Sequence, residues 1–532
     1  MKRILIIPSA GRARRLSPLN NYFPKALIPC GDKPALSRIL DFYKHIAIQQ
    51  VVIVVASDHV ARFRKIVEHY RYRFPIKIIV QKSALGLLDS IVQAKEEIAK
   101  ADQVLIHLAD TLLQMPLHES DLQQSWVLSA KVINPRDWCM IKFTDKQLLS
   151  LVDKPVSCEG KDAICGVYFF HRIHILLQAL KYAMSYSKPI HGELQVSGLI
   201  ERYKTSQPVL VRPRNDWSDI GNLKRLHAHT TFDARGQNKL IRRGQSIVKK
   251  SSGKLLVGER FYYRNLKVPQ YFPKIFEIDE GKITMSYEPL QSLAYLFLYE
   301  SMEEENTQYV VDELWSKMIQ DFYGKCTDDA LSTETAWMYG KRIVDRVEEL
   351  SEKAAFPLQF VDTLYINNVK VIGWPKLKSI VLSRARDLAD TAIIRHIHGD
   401  FHCANILYDA LRHIFIFVDP RGEWGRQVSV YGDIRYDFGK FLHSFHGGYE
   451  FIKNNLSFFE CYDTQRYTLK MPSDPMNTLY FLQPYLDNMG IKTKDVLWIE
   501  ALCFLSMGKF YSDYQMRQQF FLRGLYLLNQ LL

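Results

Sequence analysis

Cysteine is scarce and scattered in this chain: eight residues in 532, at positions 30, 139, 158, 165, 326, 403, 461 and 503, with no CxxC pair among them. That spacing argues against a disulfide framework or a cysteine-built zinc site and fits a reducing compartment. Long apolar runs are missing as well. The apolar stretch after Lys2 and Arg3 ends at Pro8, too short for a signal-peptide core. No uninterrupted run is long enough to span a bilayer. The expectation is a cytoplasmic protein without membrane insertion. Internal repeats and low-complexity segments are also absent.

What is present is an ordinary globular composition, 47% hydrophobic and 24% charged, which argues against intrinsic disorder. At this length a single core does not suffice, so two or more domains are expected. The formal net charge is +13. A basic excess favours a polyanionic ligand, and charge alone does not choose among nucleic acid, an anionic membrane and nucleotide phosphates.

The first half alternates short β-rich runs with amphipathic segments. Residues 4–7 and 51–55 are continuous and β-branched, the pattern of buried parallel strands. Between them, residues 35–47 hold neither proline nor glycine. Leu36, Ile39, Leu40, Tyr43, Ile46 and Ala47 recur there at helical spacing, and Pro34 suits a helix start. A further strand over 104–106 stops at Asp110. This βαβαβ order predicts a parallel sheet wrapped by helices, with ligands at the carboxyl ends of the strands. A polar, basic stretch over 229–245 is read as a linker between domains at 1–228 and 246–532. Beyond it come shorter strands (246–250, 282–287) and a helix over 255–263. Long aromatic-rich helices complete the chain.

Two constellations carry chemistry. The first opens straight after the first strand, as Ser9-Ala10-Gly11-Arg12-Ala13-Arg14-Arg15-Leu16-Ser17-Pro18-Leu19, then Phe23-Pro24-Lys25. A small-residue turn after a strand exposes backbone N–H groups to phosphate oxygens, and Arg14 and Arg15 add charge-assisted bonds. Lys25 supplies the second cation that triphosphate binding requires. Here the sequence resembles the sugar-phosphate nucleotidylyltransferases, whose opening reads approximately AGxGTRLxPLT…PK, over residues 1 to about 228.

The resemblance implies a Rossmann-like mixed sheet. It implies that Gly11, Arg15 and Lys25 grip the triphosphate, Arg15 and Lys25 as catalytic residues. Gln81 and the run Leu85-Gly86-Leu87-Leu88-Asp89-Ser90 match the base- and ribose-contacting segment, with Gln81, Gly86 and Asp89 as its contacts. Asp110 and Asp219, the latter in Trp217-Ser218-Asp219-Ile220-Gly221, match the metal-binding aspartates. Asp153-Lys154-Pro155 and Gly192-Glu193-Leu194 match the segments that hold the sugar phosphate. Two departures stand out: Ala13-Arg14 replaces the usual Gly-Thr or Gly-Ser, and Cys139 stands where many relatives carry glycine. If position 13 needs a positive φ, alanine strains the loop. The chemistry suits these residue types. Two carboxylates share one Mg²⁺ with phosphate oxygens, while Lys25 and Arg15 stabilise the leaving pyrophosphate.

The second constellation is His398-Gly399-Asp400-Phe401-His402-Cys403-Ala404-Asn405, succeeded by an apolar hairpin ending in Asp419-Pro420-Arg421-Gly422. An aspartate, an asparagine five positions on and a second aspartate after a hairpin form the layout of a kinase-type catalytic loop. It resembles the aminoglycoside phosphotransferase and choline kinase family, whose loop reads HGDxHxxN. The resemblance implies an α+β, protein-kinase-like domain. In it Asp400 accepts the substrate proton, and Asn405 and Asp419 hold Mg²⁺. Lys250, preferred narrowly to Lys249, pairs with the ATP phosphates, and Glu259 steadies it. Asp437 braces the loop, and His398 and His402 are structural. No GxGxxG precedes the lysine strand. The carboxyl-terminal aromatics could form a cage for a quaternary ammonium, but helix core is the plainer account.

Together these readings imply a bifunctional enzyme of the kind found in bacterial surface-glycan assembly. One half phosphorylates a small sugar or alcohol with ATP. The other couples that phosphate to a nucleoside monophosphate from an NTP (CTP, UTP or GTP) and releases pyrophosphate. A sugar is the favoured acceptor, with phosphocholine or phosphoethanolamine as the alternative. A rival holds one half to be a regulatory binding module. No nucleic-acid partner is expected, because no recognisable nucleic-acid module accompanies the charge.

Overall fold

Ile4, Leu5, Ile6 and Ile7 are all fully buried, so the first strand has no solvent face and its side chains need no alternation. It belongs to the first of two units, Met1–Thr231 and Phe232–Leu532, into which the chain divides. The computed structural model describes residues 1–11, 13–17, 23–70, 73–82, 85–157, 160–190, 192–228, 238–251, 256–300, 304–325, 331–354 and 357–532.

In the first unit the strands are β1 Arg3–Pro8, β2 Gln50–Val55, β3 Ile76–Val80, β4 Gln103–His107, β5 Thr111–Leu113 and β6 Trp126–Lys131. They continue as β7 Cys139–Thr144, β8 Gln147–Asp153, β9 Asp162–Phe170, β10 Leu210–Pro213 and β11 Trp217–Asp219. Nine of them form one sheet in the order β3-β2-β1-β4-β9-β6-β10-β8-β7. The first four are mutually parallel, whereas β9 is antiparallel to both β4 and β6. The fold is thus α/β with a mixed sheet. The parallel sheet expected from the βαβαβ order accounts only for its amino-terminal part. Ile4, Ile6, Val52, Val54, Val104 and Ile106 share one core cluster with Leu88, Ile91 and Leu180. Each such side chain contributes roughly 1.5–3 kcal/mol on burial.

The helix expected over 35–47 runs only from Ala35 to Phe42. Tyr43 leaves the helix, and its hydroxyl meets His107 Nδ1 at 2.9 Å, so a tertiary hydrogen bond overrides local periodicity there.

The second unit begins with an antiparallel sheet of β12 Asn238–Arg243, β13 Ser246–Ser251, β14 Ile275–Asp279 and β15 Lys282–Ser286, in the order β12-β13-β15-β14. Residues 238–243 fall within the expected linker, yet they pair along their whole length with β13 and belong to this sheet, while 229–237 lie outside the described residues. The helix expected over 255–263 is Val257–Arg264, and residue 255 lies outside the described residues. Helices dominate the rest, among them Lys341–Ala354, Trp374–Asp390, Arg435–Phe445, Thr493–Met507 and Tyr514–Asn529. A hairpin of Ile406–Asp409 and Ile414–Phe417 stands among them. Trp315 stacks on Phe438 with ring centroids 4.1 Å apart, and Phe401 packs edge-on to Phe417 at 5.2 Å. Phe401 also stacks on Phe441 at 6.2 Å and meets Trp315 edge-on at 5.8 Å, which holds the loop at 398–405 against the helix Arg435–Phe445. Of the carboxyl-terminal aromatics, Phe481, Trp498 and Phe504 are core, whereas Tyr462, Tyr480 and Phe510 are exposed. Among the described residues, no helix is long and apolar enough to cross a membrane.

Candidate functional sites

The loop after β1 is anchored at both ends. Ser9 donates its N–H to Val54 O at 2.7 Å, and Leu16 donates to Ala13 O at 2.8 Å. Leu16 is buried in a cluster with Ile28, Ala35 and Ile220, which fixes the turn Arg14–Leu16 to the end of β11. Ala13 has φ 48°, the left-handed conformation in which a Cβ is unfavourable. Gly11 is exposed with open space around it. The side chain of Arg14, expected as a nucleotide contact, lies outside the described residues.

Asp110 and Asp219 are brought together by the antiparallel pair β5–β11, in which Asp219 lies opposite Thr111 and Ile220 donates to Asp110 O at 2.9 Å. Their carboxylates converge on Gly221. A Cβ there would lie 2.9 Å from Asp219 Oδ1 and 3.0 Å from Asp110 Oδ2, so the two carboxylates close on the same space beside this glycine. Lys25 forms an ion pair with Asp110. Arg225 bonds Asp219 at 2.6 Å and Asp137 at 2.7 Å. Burial acts to raise the Asp110 carboxyl, but Lys25 and then Arg15 outweigh it and the net shift is downward. Asp219 is shifted upward by burial and by the neighbouring Asp110, against the pull of Arg225. Sequence reasoning missed Arg225 and Asp137; nothing in their spacing distinguishes them from surface charges.

The residues expected to meet base and ribose also assemble. Gln81 Nε2 donates to Asp89 Oδ2 at 2.7 Å, and Gln93 Nε2 donates to Asp89 Oδ1 at 3.1 Å. Gly86 has φ 117°, and a Cβ on it would lie 2.7 Å from Leu194 N and 2.9 Å from Glu193 Cβ. Leu194 N to Leu85 O (2.8 Å) and Leu88 N to Leu194 O (3.0 Å) stitch the two segments together. Glycine is required there by both φ and space.

Asp153 ends β8 opposite Cys139. Its Oδ2 is buried without a hydrogen-bond partner among the described residues. Burial first, and then Asp153, push the Cys139 thiol upward, so it stays protonated. Lys154 has φ 46° and donates its N–H to Trp138 O at 2.8 Å. Burial first, and then Cys139, Asp153 and Asp110, push the Tyr168 hydroxyl upward.

In the second unit a lysine stands between two acids, and it is Lys249, not Lys250. Lys249 Nζ lies 2.7 Å from Glu259 Oε2 and 2.8 Å from Asp419 Oδ1 and is 4% exposed. Successive residues of a strand point to opposite faces, so Lys250 faces away and is exposed. The expectation for Lys250 is corrected accordingly. Burial opposes the Lys249 charge, but Asp419 and Glu259 more than compensate, and its affinity for the proton rises. Burial pushes Glu259 up to about 7.

The catalytic-loop candidates adjoin this triad through the hairpin. Asn405 Nδ2 donates to Asp400 O at 2.9 Å. Asp437 accepts the N–H groups of His398 and Gly399, both at 2.8 Å, and burial pushes it up to about 7. It braces the loop, as expected. His398 is buried, with Nε2 3.0 Å from Val418 O, and His402 is buried too. Lys440, which sequence reasoning missed, reaches Asp400 Oδ1 at 2.8 Å. It lies 40 residues downstream of its partner, outside the local motif.

Mg²⁺ is bound by one or two carboxylates together with substrate phosphates. The carboxylates of Asp110 and Asp219, converging on Gly221, are oxygen donors of that kind.

Comparison with known proteins separates the halves. Residues 4–236 match the family model described as Nucleotidyl transferase. A glucose-1-phosphate thymidylyltransferase of Neisseria meningitidis is 24% identical over 245 residues, 44% of this chain and 83% of that protein. A bifunctional sugar-1-phosphate nucleotidylyltransferase/acetyltransferase of Sulfurisphaera tokodaii is 24% identical over 221 residues, 40% of this chain and 51% of that protein. Among solved structures, a UDP-glucose pyrophosphorylase from Acinetobacter baumannii aligns with 43% of this chain and 92% of its own, at 14% identity and TM-score 0.36. The amino-terminal half, with its loop cations and paired aspartates, is a nucleotidyltransferase domain homologous to the sugar-1-phosphate nucleotidylyltransferases.

Proposed function

We propose that the chain is a two-site enzyme. Its first unit transfers a nucleoside monophosphate from an NTP to a sugar 1-phosphate, and its second phosphorylates a small sugar or alcohol with ATP. The observation that carries the first activity is the convergence of Asp110 and Asp219 on Gly221, with Lys25 ion-paired to Asp110 and Arg15 within electrostatic reach of it. The names of the curated relatives support a sugar phosphate as acceptor.

In the first reaction an acceptor phosphate oxygen forms a bond to the α-phosphorus while the α–β bridge breaks and pyrophosphate leaves. That oxygen is already anionic at neutral pH, so no general base is required. Arg15 and Lys25 stabilise charge building on the pyrophosphate. Gln81, Gly86 and Asp89 face base and ribose. Lys154, with Asp153 and Glu193, orients the acceptor. Asp110 and Asp219 would hold Mg²⁺, which when bound draws charge from the phosphate oxygens.

The second reading rests on Lys249 shared between Glu259 and Asp419, beside a loop whose Asp400 and Asn405 are hydrogen-bonded to each other. Lys249 binds ATP phosphates and Asp400 takes the proton of the acceptor hydroxyl. The γ-phosphoryl group moves to that oxygen, and ADP leaves. Asn405 and Asp419 would hold the cation. The product of this step is the acceptor class of the other, which favours two linked activities over a regulatory second half.

The test is a coupled assay with Mg²⁺, ATP, each NTP in turn and a panel of sugars and amino alcohols, read by mass spectrometry. Asp110→Asn is expected to stop only nucleotidyl transfer, and Asp400→Asn only phosphorylation. Phosphorylated acceptor without NTP consumption, even when that product is supplied, defeats the first assignment. NTP consumption without any ATP-dependent phosphorylation defeats the second.

A further inference from the structure

Three arginines of the second unit gather where, among the described residues, no carboxylate pairs with them. Arg342 and Arg346 are one helical turn apart on Lys341–Ala354, and Arg421 stands two residues after Asp419 in the loop beyond the hairpin. Among the described residues none of the three forms an ion pair with an acid. Arg342 is 5% exposed, and its Nε is buried without a hydrogen-bond partner among the described residues. Buried charges are ordinarily paired, because desolvating an uncompensated one costs several kcal/mol. Burial and Arg421 lower the proton affinity of Arg342, and burial, Arg342 and Arg421 bring Arg346 down to about 8.

The cluster borders the Asp400 loop. Arg421 N donates to His398 O at 2.9 Å, and a Cβ on Gly399 would lie 2.8 Å from Arg421 Cβ. Arg421 Nη1 donates to the Tyr436 hydroxyl at 3.3 Å, and Arg342 bonds that same hydroxyl. Tyr436 and Lys440 are four residues apart on the helix Arg435–Phe445, hence on one face and about 5–6 Å apart. One turn on from the arginines, therefore, Lys440 holds Asp400 at 2.8 Å. The Cys503 thiol feels Lys440, Arg342 and Asp400 together.

Resting on the kinase reading of this unit, we propose that its phosphoryl acceptor is itself an anion. It would be a sugar or alcohol bearing a carboxylate or phosphate that Arg342, Arg346 and Arg421 bind while its hydroxyl faces Asp400. Planar guanidinium forks bind both anions in bidentate fashion. The ATP phosphates are already provided for by Lys249, so the arginines serve a different anion. The same cluster disfavours a cationic acceptor such as choline or ethanolamine by like-charge repulsion. This names the acceptor class and makes the arginines its specificity determinants.

The test uses the full chain with Mg²⁺ and ATP, and matched acceptors: glucose against glucuronate and glucose 6-phosphate, glycerol against glycerol 3-phosphate, and choline. The expected result is phosphorylation of at least one anionic member with kcat/KM at least about 10-fold above its neutral parent. Arg346→Gln and Arg342→Gln should then raise the acceptor KM at least about 10-fold, with a smaller effect on the KM for ATP. Arg342→Lys should restore part of the loss, and Lys341→Gln, an exposed cation on the same helix, should change nothing. A structural role is separated by melting. Relieving mutual repulsion leaves Arg346→Gln at least as thermostable as wild type, whereas loss of stability with an unchanged acceptor KM overturns the assignment. Preferred use of neutral or cationic acceptors, insensitive to the arginine changes, overturns it while leaving the kinase reading intact. Absence of ATP-dependent phosphorylation from every acceptor, with no ATP hydrolysis that Asp419→Asn abolishes, overturns both.

Discussion

Replacing Lys249 by methionine removes the one cation that pairs with Glu259 among the described residues, and that acid is only 7% exposed on the helix behind β13. Breaking a buried ion pair from one side costs about 3–5 kcal/mol when the remaining charge stays uncompensated. Glu259 can lower that cost by taking a proton. Burial already holds it near 7 against an ordinary 4.5 with the ammonium in place, and loss of that ammonium drives it higher. In Lys249→Met the native state therefore keeps a proton that the unfolded chain releases near 4.5. Native protein then binds more protons than unfolded protein, so stability falls as pH rises, by about 1.4 kcal/mol per unit up to the new native pKa. In wild type the same acid stops losing stability near pH 7. Lys249, whose proton affinity is raised above 10.5, contributes fully throughout this range.

The variant should thus lose up to about 1.4 kcal/mol between about pH 7 and pH 8, against about 0.4 kcal/mol for the wild-type triad. Lys250→Met, on the exposed face of the same strand, should stay within about 0.5 kcal/mol of wild type. Urea unfolding read by pulsed hydrogen exchange, on peptides covering β13 and Val257–Arg264, reports this unit separately from the other. Lys249→Met/Glu259→Met should recover most of the stability, because no buried charge is then left alone, but no ATP turnover. Equal losses at the two lysines, or a Lys249→Met penalty that does not change over that pH interval, would refute the reasoning.

Three further outcomes are expected. Asp110→Asn should slow nucleotidyl transfer by about 10²–10³-fold, the scale for removing one electrostatic stabiliser, with ATP-dependent phosphorylation unchanged in the same preparation. Because burial and Asp110 raise the Asp219 carboxyl, protons should compete with Mg²⁺ there. The Mg²⁺ concentration for half-maximal transfer should climb as pH is lowered below neutrality, more steeply than acid titration of the NTP alone explains, and the excess should vanish in Asp219→Asn. Ala13→Gly relieves a left-handed alanine costing about 1–2 kcal/mol at an entropic cost of about 0.5–1 kcal/mol. The melting temperature should rise slightly, and a fall would show that the loop gains more from the methyl group's packing than it loses in strain.

What is legible in the sequence is local. Continuous β-branched runs mark strands because a strand buried on both faces needs no alternation, and β1 and β2 lie where those runs lie. Ala13 is a second local case: it stands where the resemblance implies glycine, and the tight turn after β1 does hold it left-handed. Legibility ends where a decision depends on a partner remote in the chain. Lys249 and Lys250 are indistinguishable by composition. The choice is made by Asp419, 170 residues on, and by the strand face from which Glu259 is reachable. Residues 238–243 are as polar as a linker, yet they are held by a ladder with β13 rather than by apolar burial, and a pattern of side chains is blind to backbone bonds. Arg225 illustrates the same limit in the first unit, for it bridges Asp219 to an acid 88 residues away in sequence. Charge count fails for a related reason. A net charge of +13 reads as a diffuse property, whereas Arg342, Arg346 and Arg421 matter because they gather near the Asp400 loop without an ion pair to any acid among the described residues. Only the folded arrangement separates those cations from the ones that meet carboxylates.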